Sequence, residues 1–249
     1  WCMQLMSRAG FHLSAKNNGG VVTAEFVGCG MPKKNQRKST TDWSNATTAN
    51  GLQDIEDTVV AASAEGVTIR YVVMHVADFS LLKKQKSTFD TLKAWVNSSS
   101  KILVTKNLIN EYLAEQEIPV KIITVNPAVR IEDRAHRRKT INPWERKRVC
   151  FLEDLKVGDI QHGPIAAESS ATLQKIALMV KQDWILVTKW SELEPFKEWT
   201  KAEANAIPVV NDPDAMFIMK VDGKDWNASE DTEGTDDIPA TFLGETVEP

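Results

Sequence analysis

Cysteine is scarce in this chain. The three in 249 residues, Cys2, Cys29 and Cys150, lie far apart and form no C-x-x-C pair. An odd, scattered set is neither a disulfide framework nor a zinc site, and we read these residues as reduced thiols in a reducing compartment. Histidine is equally thin: His12, His75, His136 and His162 are dispersed. His75 has a carboxylate three residues on, Asp78, and a strand end entering a helix accounts for that spacing better than a metal ligand pair. There is no G-x-S-x-G elbow to carry a nucleophile. Gly28-x-Gly30 lacks the third glycine and the helix that would place a phosphate at a helix dipole. Carboxylates are plentiful, but none can be preferred for acid–base work. No catalytic residue, cofactor or metal is therefore assigned, and the chain is not expected to be an enzyme. No apolar run approaches the ~20 residues that cross a bilayer, and no signal peptide is read. Internal repeats and low-complexity tracts are absent from the sequence. The chain starts at Trp1 rather than Met, so further residues are expected upstream.

What is present suits a soluble, core-forming protein. Hydrophobic content is 42% and charged content 26%, and the length allows one large domain or two small ones. The net charge of −4 is unevenly placed. Between Arg130 and Arg148 there are eight Lys and Arg against Glu132, Asp133 and Glu145; from Asp222 to Pro249 there are nine Asp and Glu against Lys224.

In chain order, Trp1 to Ala9 has helical spacing, with Gly10 as its stop. Phe11 to Gly30 reads as a hairpin. Asn17-Asn18-Gly19-Gly20 tolerate the positive φ of a tight turn, and Val22, Ala24 and Phe26 alternate with polar residues. Pro32 to Asn50 is polar and aperiodic and is expected to be an exposed loop. Leu52 to Glu65 predicts a helix with Asn50 as its cap, acids in its first turns, Gly66 as its end, and Leu52, Ile55, Val59 and Ala62 on one apolar face. Ile69 to Val76 reads as a buried strand, followed by helices over 78–84 and 88–96 that lead to Ile102-Leu103-Val104, and a helix over 106–116. Pro119 to Val125 and Arg148 to Leu152 read as strands flanking a charged excursion, Arg130 to Thr140, that reaches out of the domain. Ala166 to Leu173 is loop-like. Late strands are expected at 184–188, 206–210 and 215–219. Beyond Asp222 the chain is acidic, poor in packing residues and expected to be mobile. The mixture, without regular βαβ alternation, favours an α+β fold over a doubly wound sheet.

The basic runs Lys33–Lys38 and Arg134–Arg148 suit either a solvated face, a contact with an acidic neighbouring subunit, or phosphate binding. Trp144 is the one aromatic near them that can stack a base. Trp43, Trp144, Trp184, Trp190 and Trp199 lie in strand or loop segments, where large aromatics serve cores and interfaces. Asn45-Ala-Thr47, Asn97-Ser-Ser99 and Asn227-Ala-Ser229 match the glycosylation sequon, read here as chance.

Taken in order, these segments resemble the major capsid proteins of tailed bacteriophages, in particular the lambda-type major head protein family with its Hong Kong 97-type capsid fold. The resemblance spans most of Trp1 to Val221. It rests on the hairpin with its Asn-Asn-Gly-Gly tip, the helix from Leu52 to Glu65, Ile131-Glu132-Asp133, Ile141-Asn142-Pro143, Arg148 to Leu152, Val157-Gly158, and Ala206-Ile207-Pro208-Val209-Val210 with Asp212-Pro213-Asp214-Ala215 and Met216 to Val221. It implies an extended hairpin, or E-loop, over 11–40 after the end of an N-terminal helix or arm over 1–10. It further implies a peripheral domain with a spine helix over 41–66 and 167–221 and an axial domain over 67–166; the acidic residues 222–249 are read as a mobile tail. The spine helix is short for the family, and the tail has no place in the pattern.

The function so implied is a structural subunit of a bacteriophage or prophage capsid, self-assembling into an icosahedral shell of pentamers and hexamers around a double-stranded DNA genome. Scaffold, portal and decoration proteins are further expected partners, with no membrane. The location is the virion, after assembly in the cytoplasm of the bacterial host. Asn17, Asn18, Gly19 and Gly20 at the hairpin tip, and Arg134, Arg137, Arg138, Lys139 and Trp144 in the basic excursion, are the candidate subunit contacts. The alternative is a nucleic-acid or small-ligand-binding module using the basic segments 33–38 and 130–148. An enzyme of another type comes last.

Overall fold

A computed structural model of the chain describes residues 6–7, 12–16, 22–28, 31–97, 102–118, 120–132, 138–165, 178–193 and 196–226. Its strands are β1 (His12–Lys16), β2 (Val22–Gly28), β3 (Gln36–Lys38), β4 (Tyr71–His75), β5 (Lys121–Val125), β6 (Val129–Glu132), β7 (Arg138–Ile141), β8 (Arg148–Leu152), β9 (Gly158–His162), β10 (Leu178–Gln182), β11 (Ile185–Leu193), β12 (Phe196–Glu203), β13 (Ala206–Val210) and β14 (Met216–Lys220). Its helices are α1 (Gly51–Ala64), α2 (Val76–Lys84), α3 (Lys86–Trp95) and α4 (Lys106–Glu115). The chain divides into two compact units, one drawn from residues 1–157 and 212–249 and the other being Gly158–Asn211. The fold is mixed α+β, as expected.

The first unit is organised on a five-stranded sheet of order β3-β14-β8-β4-β5. Its central strands read as continuous apolar runs because both faces are covered: every residue of β8 and of β14 is buried. One face carries Val72, Met74, Ile122, Val149, Phe151, Phe217 and Met219, which share a core with Leu52, Ile55, Val59 and Ala62 of α1, Phe79 and Leu82 of α2, Leu92 of α3, and Ile109 and Leu113 of α4. The opposite face holds Val73, Cys150, Leu152, Met216 and Ile218, also buried. β4 and β5 are parallel, and the chain between them supplies α2, α3 and α4.

The apolar stripe expected for the first long helix is the buried face of α1, and the chain leaves that helix at Gly66 with φ +82°. Its start differs from expectation. The Asn50 side chain makes no capping bond. Instead the Gly51 amide donates to Gln85 Oε1 at 2.7 Å, so the orphan donor is satisfied from another helix's edge. Asp54, expected to act through the helix dipole, is buried and accepts from Trp43 Nε1 (2.8 Å), Thr40 N (3.0 Å) and Thr40 Oγ1 (2.8 Å).

That network explains a second difference. Pro32 to Asn50 is not an exposed loop. It contains a turn of 3-10 helix and β3, which pairs parallel with β14. Asn35 Nδ2 reaches the carbonyls of Asp214 (2.8 Å) and Met216 (2.9 Å), and Trp43 is fully buried. The segment is polar because its side chains satisfy backbone groups rather than water. Ile102-Leu103-Val104 forms no regular element; Leu103 is 82% exposed, and Thr105 caps α4 through a bond from Leu108 N.

β1 and β2 pair antiparallel as the expected hairpin, from His12 opposite Gly28 to Lys16 opposite Val22. The expected helix over 1–9 is described at Met6 and Ser7 alone, and both are helical. The tail beyond 226 lies outside the described residues, as does the whole of the loop expected over 166–173. The first residues of the tail do pack: Trp226 Nε1 donates to Arg37 O at 2.7 Å, the Arg148 guanidinium sits 4.6 Å over its ring, and Lys38 pairs with Asp225. The second unit holds a β9–β13 ladder and a β10-β11-β12 meander, all antiparallel. The five-stranded sheet draws β4, β5 and β8 from residues 67–166, β14 from 167–221 and β3 from 11–40.

Gly51 gives a test of this packing. A Cβ there would lie 2.5 Å from Leu82 Cδ1, 2.8 Å from Gln85 Oε1 and 3.0 Å from Trp43 Cε2. Gly51→Ala should therefore destabilise the fold by about 1–3 kcal/mol through overpacking, despite the better helix propensity of alanine. Urea unfolding should show a lower midpoint at unchanged slope; a raised midpoint would contradict the packing described.

Candidate functional site

The charged excursion is a hairpin of its own. β6 and β7 pair antiparallel, Val129 opposite Ile141 and Glu132 opposite Arg138, and the pair belongs to no larger sheet. Arg130, Glu132, Arg138, Lys139 and Thr140 are exposed. Successive strand residues point to opposite faces, so Arg138 shares a face with Arg130, Thr140 and Glu132, while Lys139 lies on the face of Val129 and Ile141. Arg138 Nε pairs with Glu132 Oε2 at 3.5 Å. The hairpin thus presents two unlike faces: one charged in both signs, one basic and apolar.

Its root is held tightly. His75 Nδ1 accepts from Ala77 N at the start of α2, and His75 Nε2 lies 2.9 Å from Asn142 Nδ2. His75 is the strand-to-helix residue its position suggested. Asp78 is fully buried and accepts from Lys147 N (3.0 Å) and Arg146 Nη2 (3.3 Å). Lys147 Nζ pairs with Asp42 at 3.0 Å. Glu145 N donates to Ser7 Oγ at 3.1 Å.

Three of the eight basic residues between Arg130 and Arg148 are therefore spent inside the subunit: Arg146 on Asp78, Lys147 on Asp42, and Arg148 buried against Trp226. The other basic run is treated alike. Lys34 pairs with Glu65, which raises the lysine's pKa above its ordinary value, and Lys38 pairs with Asp225. These five residues are thus engaged within the subunit rather than offered to a nucleic acid.

Trp144 is 2% exposed, with Nε1 donating to Arg148 O at 3.3 Å, so its surface is used within its own subunit. Arg138 and Lys139 are exposed as the sequence suggested. Asn17, Asn18, Gly19, Gly20, Arg134 and Arg137 lie outside the described residues, at the turns of the two hairpins. What sequence reasoning missed is the anchoring set, Asp78, Asn142 and Asp42. The Asn142-Pro143 pair just after the excursion was its available signal. Among the described residues no group of three or more His, Cys, Asp or Glu is placed to hold a metal ion, and no helix is long and apolar enough to cross a membrane.

The β1–β2 and β6–β7 hairpins are thus two-stranded sheets separate from the five-stranded sheet of the first unit. Residues 1–221 match the sequence family described as phage major capsid protein E. The chain belongs to that phage major capsid protein E family. A member of it is a structural subunit of a phage capsid, and the resemblance drawn from the order of segments holds. No curated protein matches the sequence. Among solved structures, a protein assigned as a prophage capsid protein in Escherichia coli CFT073 superposes with a TM-score of 0.55 at 13% identity, covering 88% of this chain and 62% of its own. A phage-related protein of Bordetella bronchiseptica RB50 gives 0.44 at 13% identity over 79% of this chain and 58% of its own. The chain thus spans about three fifths of the length of these two proteins, and the first likeness is one of fold.

The Asp42–Lys147 pair at the hairpin root is testable by pH. Burial pushes the Asp42 carboxyl up, but the Ser44 amide, Lys147 and the Ser44 hydroxyl together hold it below its ordinary value. A depressed carboxylate contributes its full stabilisation above the ordinary carboxylate pKa and loses it as pH falls through the lower folded value. Asp42→Asn should therefore narrow the gap in stability between pH 7 and pH 3. Equal acid sensitivity in both proteins, read by denaturant midpoints, would remove the pair from the account.

Proposed function

We propose that this capsid subunit acts by self-assembly alone, without catalysis, through two arms. The observation that carries this is the β6–β7 hairpin: a charged element whose Arg130, Glu132, Arg138, Lys139 and Thr140 are exposed, and whose root is pinned by Asp78, Asp42 and His75. Fixing the root of an arm costs entropy once, at folding, and lowers what a contact costs at its tip. The tip, with Arg134 and Arg137 beside Arg138 and Lys139, meets acidic groups of an adjacent copy. The β1–β2 hairpin is the second arm. Its Asn17-Asn18-Gly19-Gly20 tip lies over a neighbour and adjusts to slightly different positions around the shell.

Two contact types of this kind close rings and then an icosahedral shell, which encloses double-stranded DNA and is completed with scaffold, portal and decoration proteins. Assembly takes place in the host cytoplasm. The DNA-binding reading is weaker because Lys34, Lys38, Arg146, Lys147 and Arg148 are engaged within the subunit.

Two variants test the arms. Arg137→Glu with Arg138→Glu should leave a cooperatively folded subunit and reduce particle yield at least tenfold, counted by negative-stain microscopy; particles at the normal yield would remove the contact role. Deleting Lys16 to Val21 should give a soluble subunit that forms no closed shells, and normal particles from that deletion would overturn the role of the first hairpin.

A further inference from the structure

β12 is an unprotected edge. It lies outermost in the β10-β11-β12 sheet, its far side has no strand partner among the described residues, and it runs for eight residues, about 26 Å. Seven of those residues are exposed and the last, Glu203, is half-buried. Two are large aromatics: Phe196 is 70% exposed, and Trp199 is 45% exposed with one face stacked on Trp190 at a centroid distance of 6.4 Å. An exposed edge of this length is an open template for another strand, which proteins ordinarily blunt by shortening, bulging or covering it. Here none of these is done. Lysines are present, at positions 197 and 201, and on an edge they normally discourage pairing.

We propose that β12 pairs antiparallel with β12 of a second copy, about a two-fold axis through Thr200, joining two three-stranded sheets into one of six strands. A two-fold axis perpendicular to the sheet keeps each face on its own side, so residues of the same parity oppose one another. With Thr200 opposite its own mate, Lys197 stands opposite the partner's Glu203, and Trp199 opposite the partner's Lys201. Each of these pairs occurs twice by symmetry. On the other face Glu198 meets the partner's Ala202, which carries no charge.

Sliding the register one step either way destroys the match. One slide puts Lys197 opposite the partner's Lys201; the other puts Lys201 opposite the partner's Lys201. Like charges directly opposite one another destabilise a sheet, whereas opposite charges and cation–aromatic pairs stabilise it. The same lysines that block general pairing therefore admit one register. Within the subunit Glu203 already pairs with Lys201 on the same face, so the partner's Lys197 would extend an existing ion pair rather than desolvate a lone acid. The choice of a second copy as occupant rests on the capsid reading; the strand pairing itself is independent of the two hairpin arms.

The test is a register-specific crosslink in the full chain, with Cys2→Ser and Cys29→Ser as background and the buried Cys150 kept. Directly opposite residues in an antiparallel pair lie about 4.5–5.5 Å apart at Cα, within disulfide reach. Thr200→Cys should therefore yield mostly covalent dimer on mild oxidation, seen on a non-reducing gel. Glu198→Cys places its two copies about 13 Å apart along the strand and should give little. Adding Lys197→Glu to Thr200→Cys should slow crosslinking about fivefold, and further adding Glu203→Lys should restore it. No dimer from Thr200→Cys, or equal dimer from both cysteine positions, overturns the proposal. Microscopy of the same samples keeps the two readings apart. Particles without the crosslink leave the capsid arms standing and sink the β12 pairing; the crosslink without particles supports the pairing and counts against shell assembly.

Discussion

The pairing of β14 with β8 is the interaction on which the rest of the first unit depends. Met216 to Lys220 and Arg148 to Leu152 lie side by side with every residue buried. In a dry interior an unpaired backbone amide or carbonyl costs as much as a lost hydrogen bond, so neither strand is stable there alone. The pairing also joins the last described segment of the unit to its middle, across the whole of residues 158–211. Everything between those two strands can vary in length or shape without disturbing the core, provided its ends return to the same two places. That freedom is what allows a separate compact unit to occupy Gly158–Asn211.

Around this pair the fold captures its charges one at a time. Asp54 collects the indole of Trp43 and two groups of Thr40; Asp78 collects a backbone amide and a guanidinium; Asp42 holds Lys147. A buried carboxylate is tolerable only when several donors face it, and buried Asp54 and Asp78 each draw donors from a segment distant in sequence or from a loop, while Asp42 is only half-buried. The consequence for function is subtraction. Charges that look like a continuous basic patch in the sequence are divided between those consumed at the root of the β6–β7 hairpin and those left at its outer end.

Much of the architecture was legible beforehand, for identifiable reasons. The stripe of Leu52, Ile55, Val59 and Ala62 has a period only a helix satisfies, and the apolar run Arg148 to Leu152 between polar segments marked a buried strand to the residue. The order of elements sufficed to show a resemblance to phage capsid proteins. Less visible was anything resting on a polar side chain with a distant partner. Pro32 to Asn50 looked like loop because Asn35, Ser39 and Thr40 are polar; nothing local states that Asn35 will meet the carbonyls of residues 214 and 216. Of the contact residues, Trp144 was misleading for the same reason: a tryptophan serves a core or an interface equally well until its surroundings are known.

The sequence by itself determined the periodic elements, the uneven distribution of charge and the order that resembles phage capsid proteins, because these depend on spacing along the chain. Tertiary structure alone decided which strands are neighbours, which charges are neutralised, and which edge of β12 is left open. Those depend on pairings between residues up to 189 positions apart, as between Arg37 and Trp226, and the free energy of such a contact depends on what surrounds it rather than on either residue alone.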